Sequence, residues 1–286
     1  MANIAAPALR RALSNLLLAV AAAVLILPVW FALVASSYNG ADFLAGHVGL
    51  WFGKHGLATY QAVITGHGIV AMALPNIGRA LVTSTIMALL ITIGKIAISL
   101  PSAFAVTYFR FPLRGFWFAL IFVTLLLPIE VRIVPTFQVA ANFHMLNSFT
   151  GLTLPLIASA TATFLFRQTF LSIPEELTEA ARLDGASPMR FFIDIIIPMS
   201  RTSIAALTVI LFIYGWNQYL WPLLVTTKTS WSTIVMVIGR LSQTAAEGDP
   251  VWNYTMATAL LALVPPVFVV VAMQRLFVRG LTEMEK

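Results

Sequence analysis

The sequence contains no cysteine. That excludes a disulfide framework, thiol catalysis and a thiolate-held metal. Charge is scarce too: 10% of the 286 residues are Asp, Glu, Lys or Arg, against about 25% in soluble domains. Histidine is sparse and scattered. His47, His55 and His67 share one Gly-rich stretch with only Asp42 nearby. A zinc site needs closer ligand pairs with supporting carboxylates, so these are expected to be surface histidines. A phosphate-binding loop is missing as well. Gly94-Lys95 has Leu89 where the G-x-x-x-x-G-K-[ST] frame needs glycine, and Ile96 where it needs Ser or Thr. No His/Asp/Glu cluster has the spacing of metal or acid–base chemistry. The chain is therefore expected not to be an enzyme, to hold no cofactor, and to draw any energy from elsewhere.

What is present is apolar: 59% hydrophobic residues and a mean hydropathy of +0.90. This composition predicts an all-α integral membrane protein forming a single domain, residues 1–286. Six transmembrane helices are expected near 12–37, 80–107, 115–140, 152–171, 202–226 and 254–278. The first follows Arg10-Arg11 as a signal peptide would, but its apolar run exceeds the roughly 7–15 residues of a cleaved core, so an uncleaved helix is expected. The net charge of +6 matters through its distribution. With both ends inside, Arg10, Arg11, Arg110, Arg114, Arg167, Arg182, Arg190, Arg201, Arg275, Arg279 and Lys286 are cytoplasmic. Only Lys54, Arg79, Lys228 and Arg240 are then outside. Cations favour the cytoplasmic side, so this asymmetry predicts cytoplasmic termini and a cytoplasmic loop at 172–198.

That loop, SIPEELTEAARLDGASPMRFFIDIIIP, is the longest charge-rich stretch of the chain. It predicts two short helices. Ser172 is the expected cap of the first, with Pro174 in its first turn. Glu175, Glu176 and Glu179 sit where the helix dipole favours negative charge. Gly185 is the expected stop, as the residue that takes a left-handed conformation without strain. Ser187-Pro188 starts the second helix by the same logic as the first. Its apolar residues need a partner.

Glu179-Ala180-Ala181, three residues, Gly185, nine residues, then Ile195-x-Ile197-Pro198 resembles the EAA loop of binding-protein-dependent ABC importer permeases. That pattern is EAA-x3-G-x9-I-x-L-P, and Ile197 stands where Leu is usual. The segment Trp216-Asn217-x-x-Leu220-Trp221-Pro222 is similar to the W-N-x-x-L-W-P of carbohydrate-type members. FRFPLR at 109–114, LPIEVRIVPT at 127–136, GLTLPLIASATATFLFRQ at 151–168, EAARLDGASPMRFF at 179–192 and FIYGWNQYLWPLL at 212–224 extend the resemblance, over nearly the whole chain, to permeases of glycerol-3-phosphate importers. The resemblance implies a type I importer permease fold with cytoplasmic coupling helices, in a bacterial inner membrane. It implies a second permease subunit, two ATP-binding subunits that hold ATP and Mg, and a periplasmic binding protein. It implies glycerol-3-phosphate or glycerophosphodiesters as cargo, moved by alternating access. By the same resemblance Glu179, Ala180, Ala181, Asp184, Gly185, Ile195 and Pro198 couple to the ATPase, and the loop at 227–253 reaches toward the binding protein. An interfacial helix is the alternative for that loop.

Apart from Arg167 and Arg275, assigned to the cytoplasmic ends of their spans, three charged residues lie within the spans: Lys95, Glu130 and Arg132. Each costs about 2.5–3.5 kcal/mol at membrane depth on insertion scales, so a task is expected of it. Pro128 and Pro135 flank two of them and are expected to weaken the third span. These residues, with Asn217 and Gln218, are candidates for the substrate pathway. The competing arrangement pairs Glu130 with Lys95 between spans and turns Arg132 to the headgroups. The aromatic residues of 214–222 fit either an interface belt or a polar lining. A neutral-sugar importer and an ion-driven secondary transporter are the alternative functions, the latter leaving the EAA-type loop unexplained.

Overall fold

A computed structural model describes residues 5–66, 76–124, 129–248 and 251–283, with the backbone alone at 5–9, 129–130 and 275–283. Every regular element among the described residues is helical. In chain order the helices are α1 (Ala5–Ala35), α2 (Gly40–Leu44), α3 (Gly56–Thr65), α4 (Ile77–Tyr108), α5 (Arg114–Val123), α6 (Ile129–Asn142) and α7 (Phe149–Thr153). They continue with α8 (Ala160–Leu171), α9 (Glu175–Leu183), α10 (Pro188–Met199), α11 (Arg201–Trp216), α12 (Leu220–Val225), α13 (Ile234–Ala246) and α14 (Trp252–Glu283). The chain packs as two compact units, residues 1–78 with 237–263 and residues 79–236 with 264–286.

In the first unit, α1 is apolar all round from Leu16 onward and exposed over most of its length, Leu17 and Leu25 among the exposed residues. A helix of that kind needs a lipid environment. The loop after it is tied by polar contacts: Gly53 N–H donates to Ser37 Oγ at 2.6 Å and Tyr38 Oη donates to Trp51 O at 2.8 Å. Asn39 and Asp42 close a capping box on α2. Asn253 Nδ2 donates to Thr59 Oγ1 at 3.3 Å, joining the start of α14 to α3. The mildly apolar stretch expected at 57–75 is the helix α3 as far as Thr65, and residues 67–75 lie outside the described ones.

In the second unit, α4 is the axis. Its 32 residues rise about 48 Å at 1.5 Å each, enough to cross a bilayer core of about 30 Å. Two buried clusters form along it. Met87 and Ile91 pack with Ala140, Leu152, Leu156, Trp221 and Val225. Nearer its C-terminal end, Leu100, Ala103 and Phe104 pack with α8 and with Ala181, Phe191 and Ile196 of the charge-rich loop. Glycine permits the close approaches. A Cβ on Gly94 would lie 2.6 Å from Ile157 Cγ2, and one on Gly215 would lie 3.0 Å from Ala88 Cα. Small residues at helix contacts are the usual solution where lipid replaces water. Gly94 is thus a packing glycine.

Among the described residues, three helical segments, 10–35, 77–108 and 252–274, are long and apolar enough to span a membrane. The fourth and fifth predicted spans are broken. The fourth bends by 50° between Phe149–Leu156 and α8, where Ser159 caps the new helix. The fifth, expected as one run over 202–226, is α11 and α12 separated at 217–219. Of the third, α5 and α6 are described, and residues 125–128 between them, Pro128 included, lie outside the described ones. Pro135 does not end α6, although its ring nitrogen leaves Val131 O without the usual i+4 donor. The next carbonyl, of Arg132, also accepts from Thr136 Oγ1 at 2.7 Å.

Candidate functional site: a docked charge-rich elbow and an intramembrane cation

The segment 172–199 is an elbow of two helices, as its composition predicts. Its first cap is not. Ser172 ends α8 instead, donating from Oγ to Thr169 O at 2.7 Å. Pro174, with extended backbone, is the residue before α9, and no side chain caps it. The reason is length. Because α8 runs to Leu171, only three residues remain for the turn, and Ser172 is spent closing the first helix.

The end of α9 is built as the sequence predicts. Gly185 has φ +68°. Its N–H donates to Arg182 O at 3.1 Å, and Ala186 N–H donates to Ala181 O at 2.9 Å. This double closure is a Schellman motif. It accounts for the motif residues in physical terms. Ala181 is buried and gives its carbonyl to the closure, and Gly185 supplies the left-handed turn. Ser187 Oγ then accepts from Arg190 N–H at 3.3 Å, capping α10 with Pro188 in its first turn. Five residues of α10, Phe192–Ile196, form a wider π turn, a local expansion common at functional sites. Ser200 then breaks the chain direction by 75° into α11.

The elbow has two faces. Ala181, Phe191 and Ile196 are buried in the cluster around Phe104, Phe166 and Phe170, and Ile195 packs against it. Phe104 lies 4.7 Å, ring to ring, from Phe192, and Tyr108 meets Phe191 edge-on at 5.2 Å. Aromatic pairs of this kind stiffen the joint beyond their area. The other face carries Glu179, Ala180, Asp184 and Gly185, all exposed, with Pro198 half-buried. It also exposes Leu183 (89%), Met189 and Ile193. Sequence reasoning treated the apolar residues of α10 as one set. The structure divides them, with Phe191 and Ile196 inward and Met189 and Ile193 outward. A helical wheel drawn from Ala181 would have placed Leu183 outward as well.

The second site lies along α4. Lys95 is buried, and its Nζ sits 3.9 Å from the centroid of the Tyr214 ring. A cation over an aromatic face is attracted to it, more strongly away from water. Tyr214 belongs to α11 and is 119 positions away, so no local signal pointed to it. Arg132 on α6 is exposed, yet close enough to act electrostatically on both Lys95 and Tyr214. Ile133 of α6 borders one cavity with Asn217 and Gln218. Gln218 Nε2 donates to Tyr214 O at 3.1 Å, and Asn217 is exposed. Lys95, Arg132, Asn217 and Gln218 therefore gather around α4, α6 and the α11–α12 break. The Glu130 side chain lies outside the described residues, and with it the expected Glu130–Lys95 pair. The tryptophans beside this cluster are not a lipid belt. Trp216 and Trp221 are 4% and 2% exposed, and Trp221 Nε1 donates to Gly151 O at 3.1 Å. Gly151 is held so tightly that a Cβ would collide with Met145 O.

In the last loop, α13 buries Ile234, Val237, Leu241 and Ala245, spaced as one helical face. Ile234 N–H donates to Ser84 Oγ at 2.8 Å.

A family model described as "Binding-protein-dependent transport system inner membrane component" matches residues 95–283, from Lys95 through the elbow into α14. The chain belongs to this permease family. Among its relatives, the sn-glycerol-3-phosphate transport system permease protein UgpE of Agrobacterium fabrum is 50% identical over 276 residues, 96% of this chain and 97% of its own. The UgpE proteins of Brucella melitensis and of Escherichia coli O6:K15:H31 are 49% and 51% identical, each over 96% of both chains. A chain from the crystal structure of a bacterial ABC transporter that imports the acidic polysaccharide alginate has the same fold. Its TM-score is 0.76 at 18% identity, covering 94% of this chain and 97% of that one. A second match is to the bacterial alginate transporter in complex with its pentasaccharide-bound periplasmic protein. It has a TM-score of 0.52 at 17% identity over 77% of this chain and 88% of that one. This permease has the all-α type I importer fold and lies in the membrane as a multi-pass transport component, not an enzyme.

Proposed function

We propose that this permease imports sn-glycerol-3-phosphate, or glycerophosphodiesters, across the bacterial inner membrane by alternating access. The whole chain acts as one permease domain with both termini in the cytoplasm, as the eleven-to-four bias of cations favours. It pairs with a second permease, two ATP-binding subunits that hold ATP and Mg, and a periplasmic binding protein, toward which the loop at 227–253 reaches. The observation that carries the cargo is the 49–51% identity to glycerol-3-phosphate permeases over nearly the full length. The intramembrane cations support it: an arginine fork and a lysine point charge are chemistry for a phosphate.

The mechanism follows from the elbow. Glu179, Ala180, Asp184 and Gly185 face the ATPase, with the half-buried Pro198 on the same side, while Ala181 and Ile195 hold the elbow to the spans. ATP binding closes the ATPase dimer and displaces the docked elbow. Because Phe191 and Ile196 are packed against α4 and α8, the displacement reaches the span ends rather than being lost in a loose loop. Lys95 and Arg132, with Asn217 and Gln218, then meet cargo on the path, and hydrolysis resets the arrangement.

The test is uptake into vesicles holding the assembled importer and its binding protein. Labelled sn-glycerol-3-phosphate should enter with ATP and be competed by glycerophosphodiesters but not by neutral sugars. ATP-driven uptake of a neutral sugar in its place would reject the cargo. Uptake driven by an ion gradient without ATP would reject the class.

A further inference from the structure

A cavity of about 360 Å³ opens where the chain leaves α4 and enters the elbow. Its walls are the end of α4 (Thr107, Tyr108), the turn into α5 (Arg110, Arg114), the end of α8 and one stripe of α9. That stripe is Glu175, Thr178 and Arg182, at helical spacing i, i+3 and i+7. It is a different stripe from the outward Glu176, Glu179 and Leu183. Three guanidinium groups thus line one small space with a single carboxylate. No salt bridge among the described residues uses Arg110, Arg114 or Arg182. Arg114 is positioned by Nη1 bonds to Thr107 O and Phe109 O, both 3.3 Å, which occupy the freed carbonyls at the end of α4. Tyr108 Oη donates to Phe170 O at 3.0 Å and so fixes one wall. The rim is built for a bilayer interface. Leu171 of its lining is exposed, as are Leu113, Phe116 and Trp117, which flank the lining residue Arg114 in sequence, and Phe116 meets Trp117 edge-on.

We infer that this cavity binds the phosphate headgroup of an anionic phospholipid of the inner leaflet. Arginines favour phosphate by their planar fork, and basic pockets between spans on the cytoplasmic side are suited to such headgroups. The exposed aromatic and aliphatic rim places the acyl chains next to α5 and α8, which argues for a lipid over a free anion. The side of the membrane rests on the cytoplasmic placement of the elbow proposed above. The lipid would bridge the α4–α5 turn to α9, and so set how firmly the elbow is held to the span ends.

The experiment is native mass spectrometry of the purified importer, delipidated and titrated with dioleoyl-phosphatidylglycerol or dioleoyl-phosphatidylcholine. Wild type is expected to retain phosphatidylglycerol in preference to phosphatidylcholine. Arg110→Gln with Arg182→Gln removes two of the three charges. Phosphatidylglycerol should then bind about thirty-fold more weakly, with phosphatidylcholine unchanged. If the double variant does not assemble, Arg110→Gln alone is read the same way, with about a five-fold loss. Equal retention of the two lipids by wild type, or unchanged phosphatidylglycerol binding in the variants, overturns the proposal. Inorganic phosphate at the same concentration should leave lipid occupancy unchanged. Phosphate that displaces the lipid reassigns the cavity to a soluble anion and overturns the lipid assignment. The lipid count is made on this chain whether or not an ATPase remains bound, so it fails independently of the importer reading.

Discussion

The elbow at 172–199 and the cluster around Lys95 use charge in opposite senses. In the elbow the charges point out and the apolar residues point in: Glu179 and Asp184 are exposed while Ala181, Phe191 and Ile196 are buried. Around Lys95 the charge points in, and the ring of Tyr214 covers it. The first arrangement suits an element that must be gripped by another protein and must pass on the force. The second suits a site that meets a charged molecule inside the membrane. Both are fixed to α4, through Phe104 in one case and Lys95 itself in the other, so on the function proposed above this helix would link the ATPase side to the substrate path.

Breaking the inward face of the elbow should have the largest effect. Phe191→Ala empties a buried ring site in the cluster that holds the elbow, and such truncations cost about 3–5 kcal/mol. The assembled complex should melt at lower temperature and transport should fall for every cargo alike. Unchanged melting would show that the elbow is not packed as described. Gly94→Ala is the matching insult beside Lys95. Its Cβ meets Ile157, and overpacking of this kind costs about 1–3 kcal/mol. Here too complex abundance should drop, and normal abundance would show that α4 can shift away.

A change at the turn of the elbow separates coupling from folding. Nothing lies within 4 Å of a Cβ at Gly185, so the penalty of Gly185→Asp is the backbone strain of φ +68°, about 1–2 kcal/mol. The chain should insert at normal abundance but retain less ATPase on co-purification and transport poorly. Normal ATPase retention with normal transport would reject the assignment of this turn.

Arg132→Gln should have the smallest structural effect, since Arg132 is exposed. Uptake of sn-glycerol-3-phosphate should slow while abundance and basal ATPase stay near normal. A defect explained entirely by lost protein would remove Arg132 from the path and return it to a structural role.

What was legible in the sequence was what local chemistry dictates. Gly185 needed a left-handed turn, Ser187-Pro188 a helix start, and long apolar runs a membrane. The Ser172 cap failed although the fourth span ends at 171 as expected, because the serine hydroxyl closes α8 by bonding Thr169 O rather than opening α9. The burial of Trp221 depends on packing against α7 and α4, which no neighbouring residue encodes. The Lys95–Tyr214 contact is of the same kind. The split of α10 into inward Phe191 and Ile196 and outward Met189 and Ile193 was hidden because apolar residues occupy most of its faces, and its π turn shifts the helical register.

The central claim is that the outward face of the elbow is the docking surface of the ATPase. The absence of cysteine makes a direct test available, because Leu183→Cys introduces a single thiol at a position 89% exposed in this chain. With the assembled importer in vesicles, a short thiol-reactive cross-linker at this position should join the chain to the ATP-binding subunit. The same thiol should be shielded from a soluble maleimide when that subunit is present and labelled when it is stripped away. A thiol that labels equally with and without the ATP-binding subunit, and forms no cross-link to it, would contradict the account.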